Sequence, residues 1–278
     1  MAEPADPRPR TPPSAVGAAL RIFDLSLSEM LWSRRTIFMV LVVGLPVVVA
    51  AVVRVLVMLG APLDRTLAGP AIFGLMVWAF YVHFSVPVLA TFYGTALIAD
   101  EVDDKTLTYL FTRPIPRGAV LLGKYLAYLA CTVFVVLPSV VLVWLLIVPI
   151  RGSLGANFPD LVVDLGLLAL GLAVYGAVFA LVGAVLKRPL LFGLMFVFGW
   201  ELLVLAIPGY LKRLTVAYYL EGLVPHTLPS DSALRLVQTL FQDRPTVTAS
   251  LAAMAAIAVG CLWLGARAVS RREYVLEQ

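Results

Sequence analysis

Few side chains in this sequence are placed where they could carry out chemistry. Of the two histidines, His83 lies in a long apolar stretch near Tyr81, and His226 lies in a more polar segment. Hydrolysis within a membrane would require a nucleophile, a base or a metal set facing one cavity. No such set can be assembled, and the phosphate-binding motif GxxxxGK[ST] does not occur. The sequence therefore predicts no catalytic, cofactor-binding or metal site in this chain.

Three ionisable residues nevertheless lie well inside apolar stretches, namely Arg54, His83 and Glu201, while Lys124 and Asp164 lie near the starts of two others. A charge at the centre of a membrane helix costs about 2.5–3.5 kcal/mol on insertion scales, so each requires an explanation. Glu201 is either a pathway or interface carboxylate, or one paired with a base on another span. The alternative is a carboxyl kept neutral, or one near the outer surface bonded to Trp200 or a backbone group. Arg54 is expected to extend to the outer headgroups, with pairing to Glu201 or Asp164 as the alternative. For His83 we expect a hydrogen-bonded packing role rather than a ligand role.

The composition shows which elements must position these residues. The chain has 278 residues, of which 61% are hydrophobic and 14% charged. Soluble globular proteins are about 45–50% apolar and about 25% charged. A cytosolic enzyme, a disulfide-stapled secreted domain and a nucleic-acid-binding module are thereby excluded. Cys131 and Cys261 both fall in apolar stretches and are expected to be packing residues.

The hydropathy pattern predicts an all-α integral membrane protein with six transmembrane helices. The first stretch, of 25 residues, would reach about 38 Å, enough to cross a hydrocarbon core of roughly 30 Å. Helices are expected because backbone polar groups must be satisfied within the bilayer. The predicted spans are 36–60, 68–99, 119–148, 161–186, 190–207 and 247–266.

The distribution of basic residues predicts the orientation of these spans. With a cytoplasmic N-terminus, 14 of the 21 Lys and Arg residues lie on the cytoplasmic side and 6 on the outer side. Both termini are therefore predicted to be cytoplasmic, as tails covering residues 1–14, which are expected to be disordered, and 268–278. The longest outer loop would cover 208–246 and form short helices above the outer mouth.

Glycines recur in the fourth and fifth predicted spans. Small residues let membrane helices approach closely. Such packing is expected at a dimer interface or equally between helices of one subunit. The glycines concerned are Gly166, Gly171, Gly176, Gly183, Gly193 and Gly199.

Residues 15–35 are predicted to form an amphipathic helix before the first span. Apolar side chains recur at steps of three and four, including Leu20, Phe23 and Leu27, while Arg21 and Asp24 fall on the other face. Such a helix is expected to lie in the headgroup layer. A compatible alternative is that it also packs on a partner protein.

The segment 100–118, between the second and third spans, is the most informative stretch of the chain. It begins with four acids in five residues and continues into Thr106–Phe111 before two prolines. Acids favour the N-terminus of a helix and prolines end one, which predicts a short capped amphipathic helix. A helix this short requires either the membrane surface or a protein groove for its apolar face. Periodicity alone does not decide between the two.

The stretch from Asp100 to Lys124 resembles the signature of ABC type-2 export permeases, the membrane subunits of one class of ATP-binding-cassette transporters. An acidic turn, a Thr-Leu step, an apolar helix, a proline turn and a Gly-Lys pair follow in the family's order, with Lys105 where the family usually has glycine. The resemblance assigns ATPase coupling to Glu101, Asp104, Thr106, Leu107, Leu110, Phe111, Pro114, Arg117 and Lys124.

The resemblance implies that the chain is the permease subunit of an exporter and is not itself an enzyme. A second copy, or a related permease, would complete the translocation pathway in a bacterial-type plasma membrane. Two separate ATPase subunits would bind ATP and Mg²⁺ and receive segment 100–118 as a coupling helix. The alternative is a permease-like scaffold or force-transmitting subunit that moves no solute itself. The transported substrate is not specified by the sequence.

Overall fold

A computed structural model describes residues 15–31, 34–60, 68–103, 117–201, 203–204, 210–225 and 245–271. This part of the chain is helical and contains no β-strand. In chain order the helices are α1 (Ala15–Leu31), α2 (Arg34–Met58), α3 (69–103), α4 (Arg117–Ile147), α5 (Phe158–Val185), α6 (Pro189–Glu201), α7 (Val216–Glu221) and α8 (Val247–Arg271). A single 3₁₀ turn, Tyr210–Leu214, precedes α7.

Five helices are long and apolar enough to cross a membrane, in agreement with five of the six predicted spans. They contain the segments Thr36–Met58, Gly69–Ala99, Gly118–Ile147, Phe158–Val185 and Val247–Ser270. Where the fifth span was predicted, at 190–207, the described helix is the shorter α6, Pro189–Glu201. At 1.5 Å per residue α6 is roughly 20 Å long, less than the hydrocarbon thickness of about 30 Å. The count of six complete spans therefore stays a prediction.

The interior is built around α3, α4 and α5. Helix α5 packs against α3, α4 and α8, while α1 and α2 both pack against α4. The largest fully buried side chains include Tyr81, Tyr128, Tyr175 and Phe179. The outward faces of α2 and α8 carry exposed aliphatic side chains, as expected for surfaces that meet lipid.

Helix α1 coincides with the predicted amphipathic helix. Ile22 and Ser26 are buried, and Leu27 and Met30 pack against the core, whereas Leu25 is exposed. The buried face is directed toward α4. Its expected position in the headgroup layer stays a prediction.

The acidic turn after the second span differs from the expectation that it begins a separate short helix. The described part of helix α3 continues without interruption to Asp103, so Asp100, Glu101 and Asp103 belong to this helix. The long apolar helix already supplies carbonyl partners for these residues' N–H groups, and continuing it requires no new nucleation. Most of the predicted coupling helix, residues 104–116, lies outside the described residues.

The segment before α8 also differs from the expected outer cap. In α7, Val216, Ala217 and Leu220 are almost fully buried. The Leu220 side chain packs with Val86 of α3 over Gly171, which lies at the middle of α5. This part of the predicted outer loop is therefore packed inside the helical domain, against α3 and α5. Irregular backbone at membrane depth is stable when protein surrounds it.

Candidate functional site

A group of four polar side chains lies in the interior where α3, α5, α6 and α7 meet. We call it the polar cluster and define it as His83, Tyr175, Glu201 and Glu221. Glu201 is 4% exposed, Glu221 7% and Tyr175 0%. Each side chain comes from a different helix, so the cluster connects elements that are distant in sequence.

The winding of α3 determines the direction of the His83 ring. Residues Val77–Ser85 and Ala90–Gly94 are π-helical, with Pro87 between them. Proline lacks an N–H group and interrupts regular α-helical bonding, and π-helical turns occur often at functional sites. His83 Nδ1 lies 2.9 Å from the carbonyl oxygen of Trp78, five residues earlier. Because a carbonyl oxygen only accepts, Nδ1 is the donor in this hydrogen bond.

The other ring nitrogen of His83 faces Glu221. Nε2 lies 3.0 Å from Glu221 Oε1, which is an ion-pair distance. The two atoms are not aligned as a regular hydrogen bond, and neither has another hydrogen-bond partner within the described segments. This contact joins the last residue of α7 to the middle of α3.

Glu201 is held by the aromatic side chain opposite it. The Tyr175 hydroxyl donates to Glu201 Oε2 at 2.6 Å. The Tyr175 ring is stacked on Phe179, with centroids 6.2 Å apart and planes 10° from parallel. The first N–H groups of α7, at Val216 and Ala217, face the same carboxyl group, and His83 acts on it electrostatically. Glu201 Oε1 has no hydrogen-bond partner in the described part of the chain.

Two of the three predicted intramembrane residues, His83 and Glu201, are brought into this cluster. Glu201 bonds to Tyr175 and not to Trp200, which is 41% exposed. Arg54 lies on α2, half-buried, and its pairing with Glu201 or Asp164 is not found among the described residues. Asp164 is fully buried on α5 and has interactions of its own.

Sequence reasoning missed Glu221 and Tyr175. Glu221 lay in the predicted outer loop, where an acid requires no explanation. The signal that could have found it is the short apolar run Val216–Leu220 directly before it, which is too hydrophobic for a solvated loop. Tyr175 was one of several tyrosines in apolar stretches, and nothing in its sequence neighbours distinguishes it.

The described residues among those assigned to ATPase coupling lie away from the polar cluster, at one end of the bundle. Glu101 is in the last turn of α3, and Arg117 is the first residue of α4. Lys124 lies one to two turns further along α4, half-buried, and has an interaction partner. The same end holds the last turns of α8, because Gly118 faces Ala266. The remaining residues, Asp104, Thr106, Leu107, Leu110, Phe111 and Pro114, lie outside the described residues.

Within the described segments no group of three His, Cys, Asp or Glu side chains is arranged to hold a metal ion. The cluster is instead a set of proton donors and acceptors: an imidazole, a phenol and two carboxyl groups in low-dielectric surroundings. Such a set can exchange protons and can fasten α7 to the spans. It offers no nucleophile oriented by a base.

The chain matches the model of a known protein family. The family model described as ABC-2 family transporter protein matches residues 21–269. The match covers every helix of the described structure except the first residues of α1 and the last residues of α8. No curated protein shows a significant match to the chain.

Proposed function

The chain belongs to the ABC-2 family of transporter proteins, and we propose that it is the permease subunit of an ABC exporter. In this proposal two copies, or this chain and a related one, form the translocation pathway in a bacterial-type plasma membrane. Separate ATPase subunits, two per complex, bind ATP and Mg²⁺ and drive the cycle. The observation that carries the proposal is the family match over nearly the whole chain, together with five helices of membrane-spanning length.

The route by which ATP hydrolysis would move the spans is proposed from the connectivity of α3 and α4. Both helices border segment 104–116, and both pack against α5. A displacement of that segment would therefore act on two of the three central helices at once. Rigid-body movement of packed helices is a common form of conformational switching. This arrangement supports a coupling role for the segment between Glu101 and Arg117.

The alternative function is a scaffold or force-transmitting subunit that moves no solute itself. The apolar spans and the tightly packed interior around the polar cluster are compatible with it. Both functions require an ATPase partner. Only solute flux in a complex that assembles normally would separate them.

Copurification tests the proposal and its docking site together. The tagged chain is isolated from native membranes in mild detergent, alongside a Leu110→Asp/Phe111→Asp variant. The expected result is an ATP-binding-cassette subunit that accompanies the native chain and is lost from the variant. Two acidic side chains on the apolar face would prevent that face from entering a protein groove.

A matched control places the same two charges on another face of the predicted helix, as Thr108→Asp/Thr112→Asp. This variant is expected to retain the ATPase. Loss of the ATPase from both variants would mean that added charge, and not the apolar face, is responsible. Retention by both would exclude segment 104–116 as the docking site, and the absence of any ATPase from the native complex would contradict the permease proposal itself.

A further inference from the structure

The polar cluster contains two carboxyl groups but only one basic side chain. Glu201 and Glu221 lie with His83 in an interior almost closed to solvent. With both carboxyl groups ionised, His83 protonated and Tyr175 neutral, the four side chains would carry a net charge of −1. An uncompensated charge in such surroundings costs several kcal/mol, so it is removed by a counter-ion or by uptake of a proton.

The contacts of His83 show that it balances the charge of one of the two carboxyl groups, that of Glu221. Nδ1 already donates to the Trp78 carbonyl, so its proton is fixed. Nε2 and Glu221 Oε1, at 3.0 Å, attract each other only if one of the two groups carries a proton. Whether that proton is on nitrogen or oxygen, the His83–Glu221 pair is neutral as a whole. The remaining negative charge then belongs to Glu201.

Glu201 has the surroundings of a carboxyl group that binds a proton. Oε2 accepts from the Tyr175 hydroxyl at 2.6 Å, whereas Oε1 is buried and has no hydrogen-bond partner within the described residues. A bare carboxylate oxygen in such a place is among the least stable polar groups in a protein. A proton on Oε1 removes the charge and requires no cavity to accommodate it.

We propose that Glu201 is a proton-binding site in the middle of the membrane domain, completed by His83 and Glu221. One H⁺ from solution binds to Oε1 of Glu201, and the net charge of the cluster rises from −1 to 0. No bond other than the new O–H bond forms, and no other group changes its charge. The inference goes beyond the proposed transport function, because it concerns the isolated chain without ATPase or solute.

The charged and titratable groups around Glu201 are those of the helices packed on it. Helix α3 contributes His83, α5 contributes Tyr175, and α7 contributes Glu221 and its first N–H groups. Lys212 and Arg213 belong to the turn before α7, and each has an interaction of its own. Helix α8 contributes the buried hydroxyl of Ser250 near the end of α7.

The position of α7 determines whether the proton is retained. Glu221 neutralises His83 only while α7 is packed against α3. If α7 moved outward, His83 would keep its charge without a carboxylate, and Glu201 would become the nearest counter-ion. A proton on Glu201 would then be released. Proton binding and the packing of α7 are therefore linked.

Infrared difference spectroscopy of the full chain in lipid nanodiscs tests the proposal directly. Spectra are recorded between neutral and alkaline buffer in H₂O and in D₂O. The expected result is a carboxylic-acid carbonyl band at neutral pH that shifts in D₂O and is lost in Glu201→Gln. Asp160→Asn, on a half-buried acid at the start of α5 outside the cluster, is the matched control and is expected to retain the band.

Tyr175→Phe gives a second readout that does not depend on removing the acid. Loss of the phenol donor to Oε2 is expected to shift the frequency of the band without abolishing it. A band that survives Glu201→Gln would assign the protonated acid elsewhere. A wild-type spectrum without a carboxylic-acid band would show that the cluster carries its negative charge. Either result overturns the proposal, whether or not an ATPase copurifies with the chain.

Discussion

The two buried glutamates of the polar cluster differ in the interaction that a Glu→Gln replacement would remove. Glu221 faces His83 at 3.0 Å, whereas Glu201 is held by a hydroxyl donor and faces no basic side chain at contact distance among the described residues. Removing one member of a buried pair leaves the other uncompensated and costs about 3–5 kcal/mol. Replacing a neutral acid by an amide preserves its shape and its absence of charge. The same Glu→Gln change should therefore act differently at the two positions.

We expect Glu221→Gln to lower the free energy of unfolding by about 3 kcal/mol, because His83 would lose the carboxyl group that balances its charge. Glu201→Gln is expected to change it by about 1 kcal/mol or less, the scale of a single hydrogen bond. Unfolding of the full chain by SDS in mixed micelles, followed by circular dichroism, measures both. Equal losses for the two variants would contradict the different surroundings assigned to them.

The two intramembrane candidates could be predicted from the sequence because charge in an apolar stretch is rare and costly. Their contacts could not be predicted. His83 was expected to be a packing residue, and its Nδ1 bond to Trp78 has that character, but its Nε2 contact to Glu221 depends on how the chain folds back after α6. For Glu201 the sequence supports two interpretations, and its Tyr175 partner comes from another span. A single sequence carries no signal for either pairing.

At the level of the elements, close contact between α3 and α5 depends on glycine at particular positions. A Cβ atom at Gly183 would meet the backbone of Thr95, including its carbonyl oxygen and, at 3.1 Å, its Cα. Backbone atoms cannot be displaced as a flexible side chain can. Gly166, on the same helix, has no atom within 4 Å of the corresponding position.

We expect Gly183→Ala to destabilise the protein by about 1–3 kcal/mol, the usual cost of overpacking. Gly166→Ala is the matched control. It is expected to be neutral or stabilising by up to about 1 kcal/mol, because alanine favours the helix and meets no neighbour. The same unfolding measurement applies. A destabilised Gly166→Ala would indicate a contact of that face with another molecule, such as a second copy of the chain.

The predicted helices could be recognised where apolar runs are long, since length and hydropathy alone distinguish a span. Five of them, and the helix before the first span, begin and end close to their expected positions. The π-helical winding of α3 and the burial of α7 could not be predicted, because both depend on neighbouring helices. The continuation of α3 through the acids up to Asp103 was also unexpected, because these acids were predicted to begin a separate helix.

For the molecule as a whole, the structure shows which regions lie at the same end of the bundle. The side of the membrane that each end faces can be tested. Gly118 at the start of α4 faces Ala266 near the end of α8, so these two regions lie at one end of the bundle. The loop between α4 and α5 follows the other end of α4 and therefore lies at the opposite end of the bundle. It contains the exposed Ser153. If the coupling segment meets a cytoplasmic ATPase, the end of α8 must be cytoplasmic and Ser153 must face outward.

Cysteine labelling tests this topology in a chain whose Cys131 and Cys261 are replaced by alanine. In right-side-out membrane vesicles, a membrane-impermeant maleimide is expected to label Ser153→Cys and to leave Ser270→Cys unlabelled until the membrane is permeabilised. Inside-out vesicles are expected to give the reverse. The excess of Lys and Arg at the end that holds the start of α4 and the end of α8 is the physical reason, because basic loops remain on the cytoplasmic side.

Ser28→Cys, on the exposed part of α1, extends the test to the N-terminal region. It is expected to follow Ser270→Cys, because an even number of membrane crossings returns the chain to the side on which it began. The described helices contain five segments of full membrane length, so the predicted sixth crossing would have to include α6. Labelling of Ser28 and Ser270 variants from opposite sides would mean that the chain crosses an odd number of times. In that case the odd crossing would lie before α4, because Gly118 faces Ala266 and this contact requires an even number of crossings from the start of α4 to the end of α8.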